Sequence, residues 1–75
     1  MTKQEYKARK SISDNLFNLQ CGGYVVKSFL KTSELIQYIL IHRRTGAEIT
    51  MYLHNNAVLE IWKYKKLVRF ENFKK

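Results

Sequence analysis

The sequence predicts an α+β domain of two layers, an N-terminal helix packed on a four-stranded antiparallel β-meander. Three observations carry this. Residues 1–20 repeat apolar side chains at helical spacing. Residues 24–64 are rich in β-branched and aromatic side chains, interrupted by turn-forming residues. The chain's 75 residues, 45% of them hydrophobic, are enough for one small core. No proline and only three glycines occur, so no flexible linker divides residues 1–75 into smaller units.

The helix comes first. Thr2-Lys3-Gln4-Glu5 has the spacing of a capping box, in which Thr2 accepts from the Glu5 N–H and Glu5 reaches back to the Thr2 N–H. Ala8, Ile12, Leu16 and Leu19 then form one stripe, flanked by Phe17, with Lys3, Lys7 and Lys10 off it. The helix is expected over residues 3–19. Cys21-Gly22-Gly23 ends it, because a glycine takes the left-handed conformation beyond a helix end at little cost. Cys21 reads as a small buried apolar residue beside that end.

Tyr24–Lys31 reads as the first strand and Leu35–His42 as the second, with three isoleucines and a tyrosine outweighing a possible helix cap at Ser33-Glu34. Arg43-Arg44-Thr45-Gly46-Ala47 reads as a hairpin loop with Gly46 in the left-handed position. The third strand is expected over Ala47–Leu53, a turn at His54-Asn55-Asn56, and the fourth strand from Ala57 to Tyr64. The basic segment 65–75 is compatible with a fifth strand, a short helix or a loose tail.

Turn geometry sets an expected register. Closing the Gly46 loop at Arg43 and Ala47 pairs Ile41 with Ile49 and Ile39 with Met51. Closing the next at Leu53 and Ala57 pairs Met51 with Leu59. A two-residue turn at Thr32-Ser33 pairs Leu30 with Leu35. The face under the helix then carries Tyr24, Val26, Leu30, Leu35, Ile39, Ile41, Ile49, Met51, Leu53, Leu59 and Ile61. The opposite face carries Val25, Lys27, Phe29, Lys31, Ile36, Tyr38, Leu40, His42, Glu48, Thr50, Tyr52, Val58, Glu60, Trp62 and Tyr64. That second face is too apolar for ordinary surface and too charged for a core.

Charge suggests what meets it. Fourteen Lys and Arg against six Asp and Glu give a net +8 and a pI near 9.8, with the excess densest after residue 56. This is the electrostatic footprint of a nucleic-acid binder. It also suits an acidic protein partner. Aromatic rings interleaved with cations on an open sheet are what single-strand binders use, the bases stacking while Lys and Arg follow the phosphates. The candidate platform is Tyr38, Tyr52, Trp62 and Tyr64. The candidate phosphate contacts are Lys27, Lys31, Arg43, Arg44, Lys63, Lys65, Lys66 and Arg69. The expected function is therefore non-enzymatic binding of nucleic acid, DNA or single strands.

Competing readings use the same residues. Phe29, Leu40, Val58, Leu67, Val68, Phe70 and Phe73 can fold over the second face as another small core. The face can instead join two copies sheet to sheet in a homodimer, or dock on a partner protein that this chain inhibits or regulates. Arg43-Arg44 and the Lys63–Arg69 cluster also fit a solvated turn and a strand edge defended by lysines. His42 opposite Glu48 is the one pair suited to general-base cleavage of RNA, and equally an ordinary polar cross-strand pair.

Other classes find little support. One cysteine makes neither an internal disulfide nor a cysteine-based zinc cage, and no metal or cofactor is expected. Gly22-Gly23 stops a helix and does not cradle phosphate. No apolar run nears the ~18 residues that span a bilayer, and the charged N-terminus lacks a signal-peptide core. A cytoplasmic protein without membrane contact is expected.

Overall fold

The computed structural model describes residues 2–55 and 57–73. One helix, α1 (Lys3–Cys21), precedes five strands: β1 (Tyr24–Lys31), β2 (Leu35–His42), β3 (Glu48–His54), β4 (Val58–Lys63) and β5 (Lys66–Asn72). They form one antiparallel sheet in the order β1-β2-β3-β4-β5. The fold is α+β, with five strands where the sequence predicted four. The basic segment supplies the fifth. Asn56 of the expected turn and the last two residues of that segment lie outside the described residues.

Local chemistry sets the ends of α1. The capping box is present, with Thr2 Oγ1 accepting from the Glu5 N–H at 3.1 Å and Glu5 Oε1 accepting from the Thr2 N–H at 3.0 Å. At the other end Gly22 donates to the Asn18 carbonyl at 3.1 Å, and Gly23 turns the chain with φ +101°. Cys21 is exposed there, not buried as expected. Phe17 is also exposed, at 66%.

One layer of side chains joins helix and sheet. Ala8 and Ile12 bury against Ile36, Leu40, Ile49, Met51, Leu53, Leu59 and Ile61, and Leu16, Leu19, Tyr24, Tyr38 and Phe73 pack around them. Burying a Leu or Ile side chain stabilises by about 1.5–3 kcal/mol, so this layer is the main favourable term in so small a chain.

The register of β2 departs from expectation by one residue. Leu40 faces Ile49, Tyr38 faces Met51 and Ile36 faces Leu53. Ile36, Tyr38 and Leu40 therefore lie under the helix, while Leu35, Ile39 and Ile41 lie on the far side. His42 is the cause. Its Nδ1 accepts from the Arg44 and Thr45 N–H groups at 3.1 and 3.3 Å, and the loop closes one residue earlier, at His42 and Ala47. Gly46 is left-handed as expected, with φ +76°. Four loop residues are used where three were expected, and the parity of β2 reverses.

The other hairpins shift by even numbers or correct themselves. Met51 faces Ile61 and Leu53 faces Leu59, two residues from the expected pairing, so β3 and β4 keep their faces. Thr32 Oγ1 accepts from the Glu34 and Leu35 N–H groups and sets the β1–β2 turn. Leu30 then faces Gln37 on the far side. A bulge between Val26 and Ser28 restores Tyr24 and Val26 to the helix side. Phe29 and Lys31, expected on the far face, take helix-side positions opposite Tyr38 and Ile36.

The expected alternative in which residues 67–73 form a second core does not occur. The segment extends the sheet as β5, and Leu67 and Phe70 remain exposed on the far face beside Trp62 and Glu60.

Candidate functional site

The helix covers one side of the sheet and leaves the other open. Two compositions share this open face. On β1 and β2 it carries Val25, Leu30, Leu35, Ile39 and Ile41, with Ser28 and Gln37 the polar members. On β3 and β4 it carries Glu48, Thr50, Tyr52, His54, Val58, Glu60 and Trp62. The second half forms an open groove of about 450 Å³, lined by Thr50, Tyr52, His54, Glu60 and Trp62 with Tyr64 and Lys65.

A polar network fixes the groove floor. Trp62 Nε1 donates to Glu60 Oε1 at 2.9 Å, and His54 Nε2 lies 3.6 Å from Glu60 Oε2. The Tyr52 ring stacks on His54, with centroids 5.7 Å apart and planes 20° from parallel. Strand pairing explains the grouping. Tyr52 faces Glu60 directly, and Trp62 and His54 lie two residues along each strand on the same side. Tyr64 turns the chain with φ +59° and sits at the groove's end.

Topology gathers charge at that end. Alternate turns of an antiparallel meander share an end of the sheet. The β2–β3 turn brings Arg43 and Arg44 there, and the β4–β5 turn brings Lys63, Lys65 and Lys66. The two turns stand about 10 Å apart at the usual strand spacing. Of these five cations Lys65 lines the groove, Arg43 and Arg44 lie on the neighbouring turn beside Glu48, and Lys63 and Lys66 fall on the helix side of the sheet.

Not every candidate joins this cluster. Tyr52, Trp62, Tyr64 and Lys65 line the groove. Arg43 and Arg44 sit on the β2–β3 turn at the same end of the sheet, whereas Lys63, opposite Ile49, and Lys66, opposite Lys63, take helix-side positions. Tyr38 lies on the opposite face, packed against the core and 4.9 Å from the Phe29 ring. Lys31 is at the far end of edge strand β1, and Lys27 occupies its bulge. Arg69 is on the helix side, where its Nε lies 3.3 Å from Glu71 Oε1. Sequence reasoning left out His54 and Glu60. Their signal was the alternation Tyr52-x-His54 against Glu60-x-Trp62, which places four polar or aromatic side chains in one patch once the loop closes at His54 and Val58 instead of Leu53 and Ala57.

The expected His42–Glu48 pair does not form. Glu48 faces Ile41 on the open side, while His42 lies on the helix side with Nε2 3.1 Å from the Gly22 carbonyl. Its ring holds a turn and is not presented to a substrate.

A second, more polar groove of about 340 Å³ runs between α1 and β5, lined by residues that include Lys7, Lys10, Asp14, Arg69 and Glu71. Ser11 Oγ donates to Glu71 Oε1 at 2.6 Å. That hydrogen bond, followed by Arg69, holds the Glu71 carboxyl below its ordinary value. Like charges and opposite ones alternate along this groove, so it presents no one-sign field.

Among the described residues no helix is long and apolar enough to cross a membrane, and no group of three His, Cys, Asp or Glu is placed to hold a metal ion. No protein-family model matches the chain, and neither a curated protein nor a solved structure does.

Proposed function

We propose that this chain is a non-enzymatic nucleic-acid-binding protein that takes a single strand along the open face of its sheet. The observation that carries this reading is the junction of an aromatic groove with a cationic sheet end. Tyr52, Trp62 and Tyr64 supply ring faces for bases. Arg43, Arg44 and Lys65 supply the phosphate contacts. Stacking needs bases whose faces are bare, which a duplex does not offer and a single strand of DNA or RNA does.

The test exploits a second set of cations on the helix. Lys3, Lys7 and Lys10 lie away from the groove floor, two of them beside the polar groove under β5. Reversing Arg43, Arg44 and Lys65 to Glu changes net charge as much as reversing Lys3, Lys7 and Lys10. Only the first triple should abolish binding of a labelled oligothymidine at low salt. Equal losses would mean attraction to net charge without a site.

One observation favours a second reading. The β1–β2 half of the open face, with Val25, Leu30, Leu35, Ile39 and Ile41, has no charged side chain at any of its register positions. Such a surface suits a protein partner or a second copy of this chain, through which the protein would act as an inhibitor or regulator. Ile39→Glu would then reduce the sedimentation coefficient or abolish partner capture while leaving oligonucleotide affinity in place.

A further inference from the structure

We propose that Glu60 makes the groove selective for guanine among the bases of a single strand. The inference rests on the single-strand reading above and names what that groove would prefer.

An anion in this position calls for a reason. The chain carries a net +8, yet a carboxylate stands on the floor of the groove assigned to a polyanion. Its effect on phosphate is repulsive. Nor is it a loose surface group. Its side chain is only 27% exposed, Oε1 accepts from the Trp62 indole N–H at 2.9 Å, and His54 Nε2 lies 3.6 Å from Oε2. A carboxylate has about four acceptor positions, two on each oxygen. The Trp62 hydrogen bond uses one, on Oε1. At least one acceptor on each oxygen remains, in a carboxyl plane whose rotation Trp62 restricts.

A planar pair of acceptors is matched by a planar pair of donors. Guanine alone among the bases offers two adjacent donors on its Watson–Crick edge, the ring N1–H and the exocyclic N2 amino group. Adenine and cytosine offer one amino group beside a ring nitrogen that is itself an acceptor. Thymine and uracil offer one N–H between two carbonyl oxygens, both repelled by a carboxylate. Tyr52 and Trp62 flank Glu60 on the same face, the first across the strand pair and the second along the strand. A base stacked on either ring therefore brings its edge towards the carboxylate. Phosphate contacts at the sheet end position the strand, and Glu60 reads one base.

The experiment uses the whole chain and four oligothymidine 9-mers, carrying guanine, hypoxanthine, adenine or cytosine at the centre, with oligothymidine itself as the reference. Affinity is read from Trp62 fluorescence at low salt. Guanine should bind about tenfold tighter than thymine, the change expected for one bidentate contact. Hypoxanthine keeps N1–H and lacks the amino group, so it should fall between guanine and adenine. Glu60→Gln should remove the guanine preference, bringing the ratio of guanine to thymine affinity to about one. Equal affinity for all five in the unaltered protein overturns the guanine proposal while leaving single-strand binding in place. Binding of none of them at low salt overturns both. The comparison among bases needs no variant, so it stands even where Glu60→Gln folds poorly.

Discussion

The His42 ring and the Gly22 carbonyl are 20 residues apart in the chain and 3.1 Å apart in space. With Nδ1 accepting from Arg44 and Thr45, the tautomer that donates from Nε2 fits Gly22. One side chain thus ties the end of α1 to the β2–β3 turn. His42→Ala removes three contacts and should destabilise by about 1–3 kcal/mol. Gly23→Ala should act on the same joint, because its Cβ would meet His42 Nε2 at 2.9 Å and adopt φ +101°. Urea unfolding of both variants checks this. A loss below a few tenths of a kcal/mol for either contradicts it.

The reversed parity of β2 has a direct energetic signature. Leu40 is fully buried, and Leu40→Ala should cost about 2–5 kcal/mol. Ile39 lies on the open face, and Ile39→Ala should cost clearly less. The register expected from turn chemistry alone demands the opposite order, so the two melting curves decide between them.

Glu71 makes part of the stability depend on acid. Its folded carboxyl titrates below the ordinary 4.5, chiefly because Ser11 donates to it. A depressed carboxyl contributes stability above its unfolded value and loses that contribution as pH falls through the folded one. At neutral pH Glu71→Gln should therefore be less stable than the parent by about 1 kcal/mol. The difference should shrink as pH falls below 4.5. A gap that persists at low pH would point to packing instead of the ionised contact.

Faces, more than elements, separate the sequence reading from the structure. The capping box at Thr2 and Glu5, the stop at Gly23 and the strand spans of β1 and β2 were legible, because each depends on neighbours in the chain. The buried face of β3 and β4 was legible too, since a two-residue shift preserves parity. What sequence could not supply was the His42 side chain as an acceptor for two loop N–H groups. That contact moved one turn by one residue and exchanged Tyr38 and Leu40 for Ile39 and Ile41. Likewise β5 was ambiguous because Lys66–Asn72 mixes charge and apolar residues, and only an open edge on β4 makes it a strand. The His54–Glu60 contact required the β3–β4 register, which lay two residues from the expected one.

The exchange of faces also sorts the aromatic residues. Tyr52→Ala should weaken single-strand binding by roughly the 1–3 kcal/mol of a stacked base. Tyr38→Ala should lower stability and leave affinity per folded molecule unchanged, since Tyr38 packs against the core under the helix. Filter binding corrected for the folded fraction separates the two. A loss of affinity from Tyr38→Ala equal to that from Tyr52→Ala contradicts the assignment of faces.

The central claim is that bases stack in the groove while phosphates sit on the sheet end. The most direct measurement is a titration of the protein with a single-stranded oligonucleotide at two salt concentrations, followed by Trp62 fluorescence. Trp62 is the sole tryptophan, so any change comes from the groove. The account predicts quenching that saturates, with an apparent affinity that falls steeply as salt rises. Oligonucleotide bound at low salt with no change in Trp62 emission contradicts it.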